Sequence, residues 1–211
     1  MSGARRGRFI TLEGGEGVGK STQLRALASA LRDRGLSVVE TREPGGSKGA
    51  EAIRELLLHR EADAWTAEAE ALLFAAARSD HVSRVIVPAL ERGDWVLCDR
   101  FIDSTRAYQG GAQGLADSDI MTLHRIGSRG LLPDRTFLLR ADPAIVATRL
   151  AARGEGSDRF EGKGPAFHAA VGAAFDTLAE ADPARFRTID AADDAATVSA
   201  NILVGLSDLL P

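Results

Sequence analysis

The sequence predicts a three-layer α/β fold, a parallel sheet with helices on both faces. Three observations carry this. Short β-branched or aromatic runs alternate with longer stretches of helical periodicity along the 211 residues, the pattern of βαβ units. The run WVLCD (95–99) is apolar enough to be buried on both faces, as a strand inside a parallel sheet must be. A glycine-rich loop, EGGEGVGKST (13–22), lies between the first strand pattern and the first helix pattern. No internal repeat or long linker divides the chain, so residues 1–211 are expected to form one domain.

The elements follow in order. Arg8–Glu13 (RFITLE) is a strand ending at glycines. Lys20–Arg34 sets Leu24, Leu27, Ala28 and Leu31 at helical spacing, and Gly35 ends it. Ser37–Thr41 (SVVET) is a second strand. After the REPGG turn Ala50–His59 is helical, and Thr66–Arg92 is a long helical pattern interrupted near its end by Pro88. Trp95–Asp99 is the third strand and Asp117–Arg129 a helix. Thr136–Leu139 (TFLL) is the fourth strand, and Pro143–Arg153 a further helix. A glycine-rich basic stretch, 154–164, precedes a helix over Ala166–Ala181. Phe186–Asp190 (FRTID) is the fifth strand, and Ala195–Leu210 closes the chain as a helix. Ligands of such sheets bind beyond the carboxyl ends of the strands, so chemistry is expected after Glu13, Thr41, Asp99 and Leu139.

Composition narrows the function classes. Apolar residues are 45% and charged residues 27% of the chain, the balance of a soluble globular protein. A net charge of −4 gives no general field for nucleic acid or an acidic membrane, so neither is expected as a partner. The single cysteine, Cys98, permits no disulfide within the chain and fits a reducing compartment. It reads as a small buried hydrophobe. The longest apolar run, 71–77, is too short to span a bilayer. Arg5 and Arg6 are not followed by the apolar stretch of a signal peptide, which predicts a cytoplasmic protein.

Gly14, Gly19, Lys20 and Ser21 satisfy G-x-x-x-x-G-K-[ST] in its required place between strand and helix. Glycines let successive N–H groups turn toward phosphates, and the helix N-terminus adds partial positive charge. Lys20 is placed to bridge β- and γ-phosphates, and the Ser21 hydroxyl to ligate Mg²⁺. No N/T-K-x-D motif of a regulatory GTPase occurs. A nucleotide acceptor brings an already ionised phosphate, so its site needs cations and positioning more than a base. Asp99 and Arg100, at the end of the third strand, suit that need. Asp99 is placed to order the Mg²⁺ water shell, and Arg100 to grip an acceptor phosphate by two hydrogen bonds; a structural Arg–Asp pair is the plainer reading. Phe74 and Arg78 stand four apart and share a helix face. A stacked base with Arg78 donating to its carbonyl is one outcome, a core ring below a solvated arginine the other. Arg149, Arg153 and Arg159 among flexible glycines suit a mobile lid over residues 149–164, or a solvated loop.

Five motifs together, EGGEGVGKST, TREPGG (41–46), FAAAR (74–78), DRFIDSTRAYQGG (99–111) and DRFEG (158–162), resemble the bacterial thymidylate kinase family, in the same order and over nearly the whole chain. The resemblance implies a P-loop NTPase fold whose five strands run in the order 2-3-1-4-5. It implies transfer of the ATP γ-phosphate to dTMP with Mg²⁺, giving dTDP and ADP, in a homodimer. On the ATP side it places Gly14, Gly15, Glu16, Gly17, Val18, Gly19, Lys20, Ser21, Thr22 and Arg149. On the acceptor side Arg100 holds the dTMP phosphate, Phe74 stacks on thymine and Arg78 reaches O4. Thr105 and Gln109 meet the base edge, Tyr108 packs under the deoxyribose, and Arg42 lies in the matching REPGG turn. Glu16 takes the position of an acidic residue that meets the 3′-hydroxyl, which leaves Glu13 a structural acceptor of hydrogen bonds. Gly17 stands where one branch of the family has a loop arginine. The transition-state cation is then expected from Arg153 first, or Arg159. Two other readings stay open: a kinase for dUMP, CMP or AMP, and a nucleotide-dependent switch without an acceptor.

Overall fold

The computed structural model describes residues 6–58, 64–153, 159–160 and 162–211, without the side chains of residues 150, 152 and 153. Its strands are β1 (Phe9–Glu13), β2 (Val38–Arg42), β3 (Trp95–Asp99), β4 (Arg135–Arg140) and β5 (Phe186–Asp190). They form one parallel sheet in the order β2-β3-β1-β4-β5. The sheet is centred on β1, every residue of which is buried. Leu12 sits opposite Asp99 of β3 and Phe137 of β4, so the carboxyl ends of β1 and β3 finish side by side.

The helices are α1 (Lys20–Arg32), α2 (Lys48–Leu58), α3 (Ala67–His81), α4 (Val87–Glu91), α5 (Ile102–Thr105), α6 (Asp117–Ser128), α7 (Pro143–Arg153), α8 (Pro165–Ala181) and α9 (Ala195–Val204). Two apolar layers cover the sheet. Leu24, Leu27, Ala28 and Leu31 of α1 pack with Val198 and Ile202 of α9 on Ile10, Leu12, Leu97 and Phe137. Val82, Ile86, Ala89 and Leu90 pack with Phe101, Ile102 and Ile120 on Phe9, Val96 and Cys98. The alternating strand positions thus feed opposite layers, as the period of two requires. Cys98 is fully buried, and burial pushes its thiol well above the ordinary range.

Four differences from the sequence pattern have physical causes. The long pattern 66–92 runs as α3, a π-helical turn over Val82–Ile86, and α4. Pro88 lacks an N–H and its ring crowds the preceding turn, and the wider π turn, with Val87 N bonded to Val82 O, absorbs the mismatch upstream. Residues 102–112, where the hydrophobic pattern predicts no element, form α5 and a π-helical segment, Arg106–Ala112. The last helix ends at Val204, before Gly205, with turns beyond it. The Ala50–His59 helix starts earlier, at Lys48, where the Ser47 hydroxyl accepts from Ala50 N.

A buried ion pair joins the chain beyond β3 to the start of β5. Arg185 donates to both oxygens of fully buried Asp103, at 2.5 and 3.1 Å, and to Thr136 Oγ1 of β4 at 2.8 Å. It fixes the direction in which residues 102–112 leave the sheet.

Candidate active site

Beyond the carboxyl ends of β1 and β3 lies a cleft of about 730 Å³. One wall is the loop from β1 to α1. Gly14 adopts φ +134°, and a Cβ there would overlap Leu139 O at the end of β4, so the loop can turn at this point only as glycine. Gly19, at φ +95°, is the N-cap of α1 and has no side chain to bond the first-turn N–H groups. A helix N-terminus of this kind is an anion site. Val18 instead points into the core beneath the loop. Gly17, Gly19, Ser21 and Thr22 line the cleft. The Lys20 ammonium donates to Gly15 O at 2.6 Å and Gly14 O at 3.2 Å, and burial and then the Arg100 charge lower its pKa.

Ser21 Oγ donates to Asp99 Oδ2 at 2.8 Å. A hydroxyl and a carboxylate in contact beside a phosphate cradle fit Mg²⁺, which takes few protein oxygens and keeps several waters. Among the described residues no group of three or more His, Cys, Asp or Glu side chains could hold a metal alone.

Arg100 stands just past β3 at φ +69°, a left-handed conformation rare outside glycine. The turn sends its guanidinium back to the loop: Nη1 donates to Gly14 O at 2.9 Å and Ser104 Oγ at 3.1 Å, and Nη2 pairs with Glu16 Oε1. Tyr108 Oη donates to the same Glu16 oxygen at 3.4 Å, and its ring lies 5.3 Å from the Arg100 guanidinium carbon. Burial alone would raise the Glu16 carboxyl, but Arg100, Lys20 and the hydrogen bond from Tyr108 outweigh it and bring its pKa to about 2. Burial pushes the Tyr108 phenol up. Glu13 is enclosed, accepting from Phe101 N at 2.7 Å and Ser104 Oγ at 2.6 Å.

The far wall is α3 with the π-helical segment. Arg78 is not solvated. It is buried, donating from Nε to Glu43 Oε2 at 2.7 Å and from Nη2 to Thr105 Oγ1 at 2.9 Å. Glu43 is shared with His81, whose Nε2 meets Thr41 Oγ1 at 2.7 Å. Phe74 tilts against Phe160, with centroids 6.0 Å apart, and both line the cleft with Thr105, Tyr108 and Gln109. An aromatic, hydrogen-bonding slot results; Arg42, which pairs with Glu51, and Arg149, which donates to Ala191 O at 2.8 Å, also line the cleft.

Arg159 is not brought to the cleft. It is buried, with Nη2 2.6 Å from Glu70 Oε1 and Nε donating to Leu57 O at 3.1 Å. The Arg153 side chain, and residues 154–158 and 161 of the expected lid, lie outside the described residues. Glu43, Glu70, His81 and Phe160 carry no role in the sequence reading. Glu43 sits inside TREPGG, Phe160 inside DRFEG and Glu70 one helical turn before Phe74, the signals that point to them.

A phosphate cradle joined through Glu16 and Arg100 to a slot lined by aromatic and hydrogen-bonding side chains marks a P-loop phosphotransferase. Comparison with known proteins narrows this class. The family model described as thymidylate kinase matches residues 12–202. A thymidylate kinase of Rhizorhabdus wittichii is 63% identical over 97% of this chain and 99% of its own. One of Halorhodospira halophila is 48% identical over 98% and 96%. The crystal structure of thymidylate kinase from Ehrlichia chaffeensis superposes with a TM-score of 0.77 at 33% identity, covering 95% of this chain and 98% of that one. The chain belongs to the thymidylate kinase family.

Proposed function

We infer that this cleft carries out the reaction of its family, ATP-dependent phosphorylation of dTMP to dTDP, by in-line transfer without a protein base. One observation carries the reading: Glu16, at the crest of the phosphate loop, is bonded to Arg100 and Tyr108 of the opposite slot. Donor cradle and acceptor pocket therefore share a wall, as transfer between two bound nucleotides requires.

The roles follow from position. Lys20 and the N-terminus of α1 hold the donor phosphates, and Arg149, also on the cleft lining, serves the same nucleotide. Ser21 would hold Mg²⁺ directly and Asp99 would hold it through water, and the ion would supply positive charge to the phosphates. Arg100 leaves Glu16 for the dTMP phosphate, and the freed carboxylate accepts from the 3′-hydroxyl. Phe74 stacks on thymine, Arg78 donates to O4, Thr105 and Gln109 face the base edge, and Tyr108 packs under the sugar. Arg42 borders the acceptor phosphate. Arg153 supplies the transition-state cation, since Arg159 is committed to Glu70. A homodimer accords with apolar residues exposed on α3 and α6. A cytoplasmic location accords with one buried thiol and with no helix, among the described residues, long and apolar enough to cross a membrane.

The test is ADP formation from ATP and Mg²⁺ with dTMP, dUMP, CMP or AMP in turn. ADP is expected to depend on an acceptor and to form fastest with dTMP. Slow hydrolysis indifferent to dTMP would make the protein a nucleotide switch instead.

A further inference from the structure

Glu70 has no part in the roles above, yet it is 2% exposed and holds three side chains. Its Oε2 accepts from Gln109 Nε2 at 3.1 Å and Gln113 Nε2 at 2.9 Å, while Oε1 lies 2.6 Å from Arg159 Nη2. A carboxylate paired with a guanidinium offers acceptor oxygens only. Both glutamines must therefore turn their NH₂ groups toward it. Gln109 lines the cleft, and with its NH₂ group held on Glu70 its carbonyl oxygen is the end of the amide turned away from that carboxylate. Arg159 extends the same assembly. Its guanidinium carbon lies 4.7 Å from the Phe160 ring centroid, and Phe160 packs on Phe74 and Tyr108.

We propose that Glu70 is a positioning residue for base selection: it locks Gln109 as an acceptor for a protonated ring N3, and through Arg159 steadies the aromatic wall beside it. The assignment rests on the acceptor-site reading above. Thymine and uracil present N3–H beside the O4 carbonyl, whereas cytosine presents a bare N3 beside an amino group. Arg78, a donor held by Glu43 and Thr105, and Gln109, an acceptor held by Glu70, match the first pattern and oppose the second. A site whose hydrogen-bonding groups are fixed in this way rejects the mismatched partner far better than a plain apolar pocket does.

The experiment compares kcat/KM for dTMP, dUMP and dCMP in wild type and Glu70→Gln, an isosteric change that lets the amides turn. Values for dTMP and dUMP are expected to fall together by about tenfold, with the dTMP:dUMP ratio kept, the dTMP:dCMP ratio reduced and the KM for ATP unchanged. An unchanged dTMP:dCMP ratio overturns the proposal. So does a comparable loss of dTMP:dUMP discrimination, which would mean general loosening. Should Glu70→Gln leave Arg159 unpaired and fail to fold, Glu70→Gln with Arg159→Gln removes both charges, and the same ratios are read. A wild-type enzyme inactive on dTMP would sink the function itself; a normal wild type with unaltered ratios in the variant sinks only the role of Glu70.

Discussion

Glu13 and Glu16 lie three residues apart and titrate in opposite directions because the fold gives them different neighbours. Glu13 is enclosed, and burial followed by repulsion from Asp103 pushes its pKa up to about 8. Its contribution to stability is present below the ordinary carboxylate range and is lost as pH rises toward 8. Glu16 is held down by Arg100 and Lys20 to about 2. Its contribution is present above the unfolded value and is lost as pH falls through about 4.5 toward 2. The full Glu16 effect is on the order of 3 kcal/mol. Urea midpoints of Glu16→Gln are therefore expected to change less between pH 5 and pH 3 than those of wild type, and equal slopes would refute the pairing. In kinetics at neutral pH the same variant should raise the KM for dTMP more than that for ATP; the reverse order would assign Glu16 to the donor. Both carboxylates were legible in the sequence because they sit inside a motif with a mechanism. Glu43 and Glu70 were not, since a carboxylate on a helix or turn reveals no partner until Arg78, Gln109 and Arg159 converge on it from distant segments.

Among the elements, strands and long helices were legible because each buries one periodic face on the sheet. Residues 102–112 were not: Asp103, Ser104 and Gly111 break the apolar pattern, and each is there for a tertiary reason. Asp103 meets Arg185, Ser104 meets Glu13, and Gly111 lets the π-helical segment approach α8. A Cβ at Gly111 would overlap that of Ala174 on α8. Gly111→Ala should cost about 1–3 kcal/mol and lower Tm by several degrees in a chain of this size. The shift would carry Tyr108 and Gln109 with it, so the KM for dTMP is expected to rise while that for ATP holds. Thermal unfolding with KM measurements checks both; a variant with unchanged Tm would show that the contact has room to relax.

At the scale of the whole molecule, the strand order brings the ends of β1 and β3 together and leaves α3 with two working faces. Glu70, Phe74, Arg78 and His81 face the slot or the core, while Leu72 and Ala76 look outward. Leu72 is 56% exposed and Ile126 of neighbouring α6 is 72% exposed, so each of the two packed helices shows a large apolar side chain to solvent. The two helices pack closely at Gly127, where an added Cβ would make ordinary contact, 3.4 Å from Ala75 O and from Ser79 Cβ. A twofold dimer built on these helices would bury both side chains against their own copies. Wild type is then expected to sediment as a dimer, and Leu72→Glu with Ile126→Glu as a monomer, because each new charge would otherwise be buried without a partner. The same helix carries Phe74 and Arg78, so loss of the dimer should weaken dTMP use more than ATP use. A wild type that sediments as a single chain, or a double variant that stays dimeric, would place the interface elsewhere and leave the acceptor wall of α3 independent of assembly.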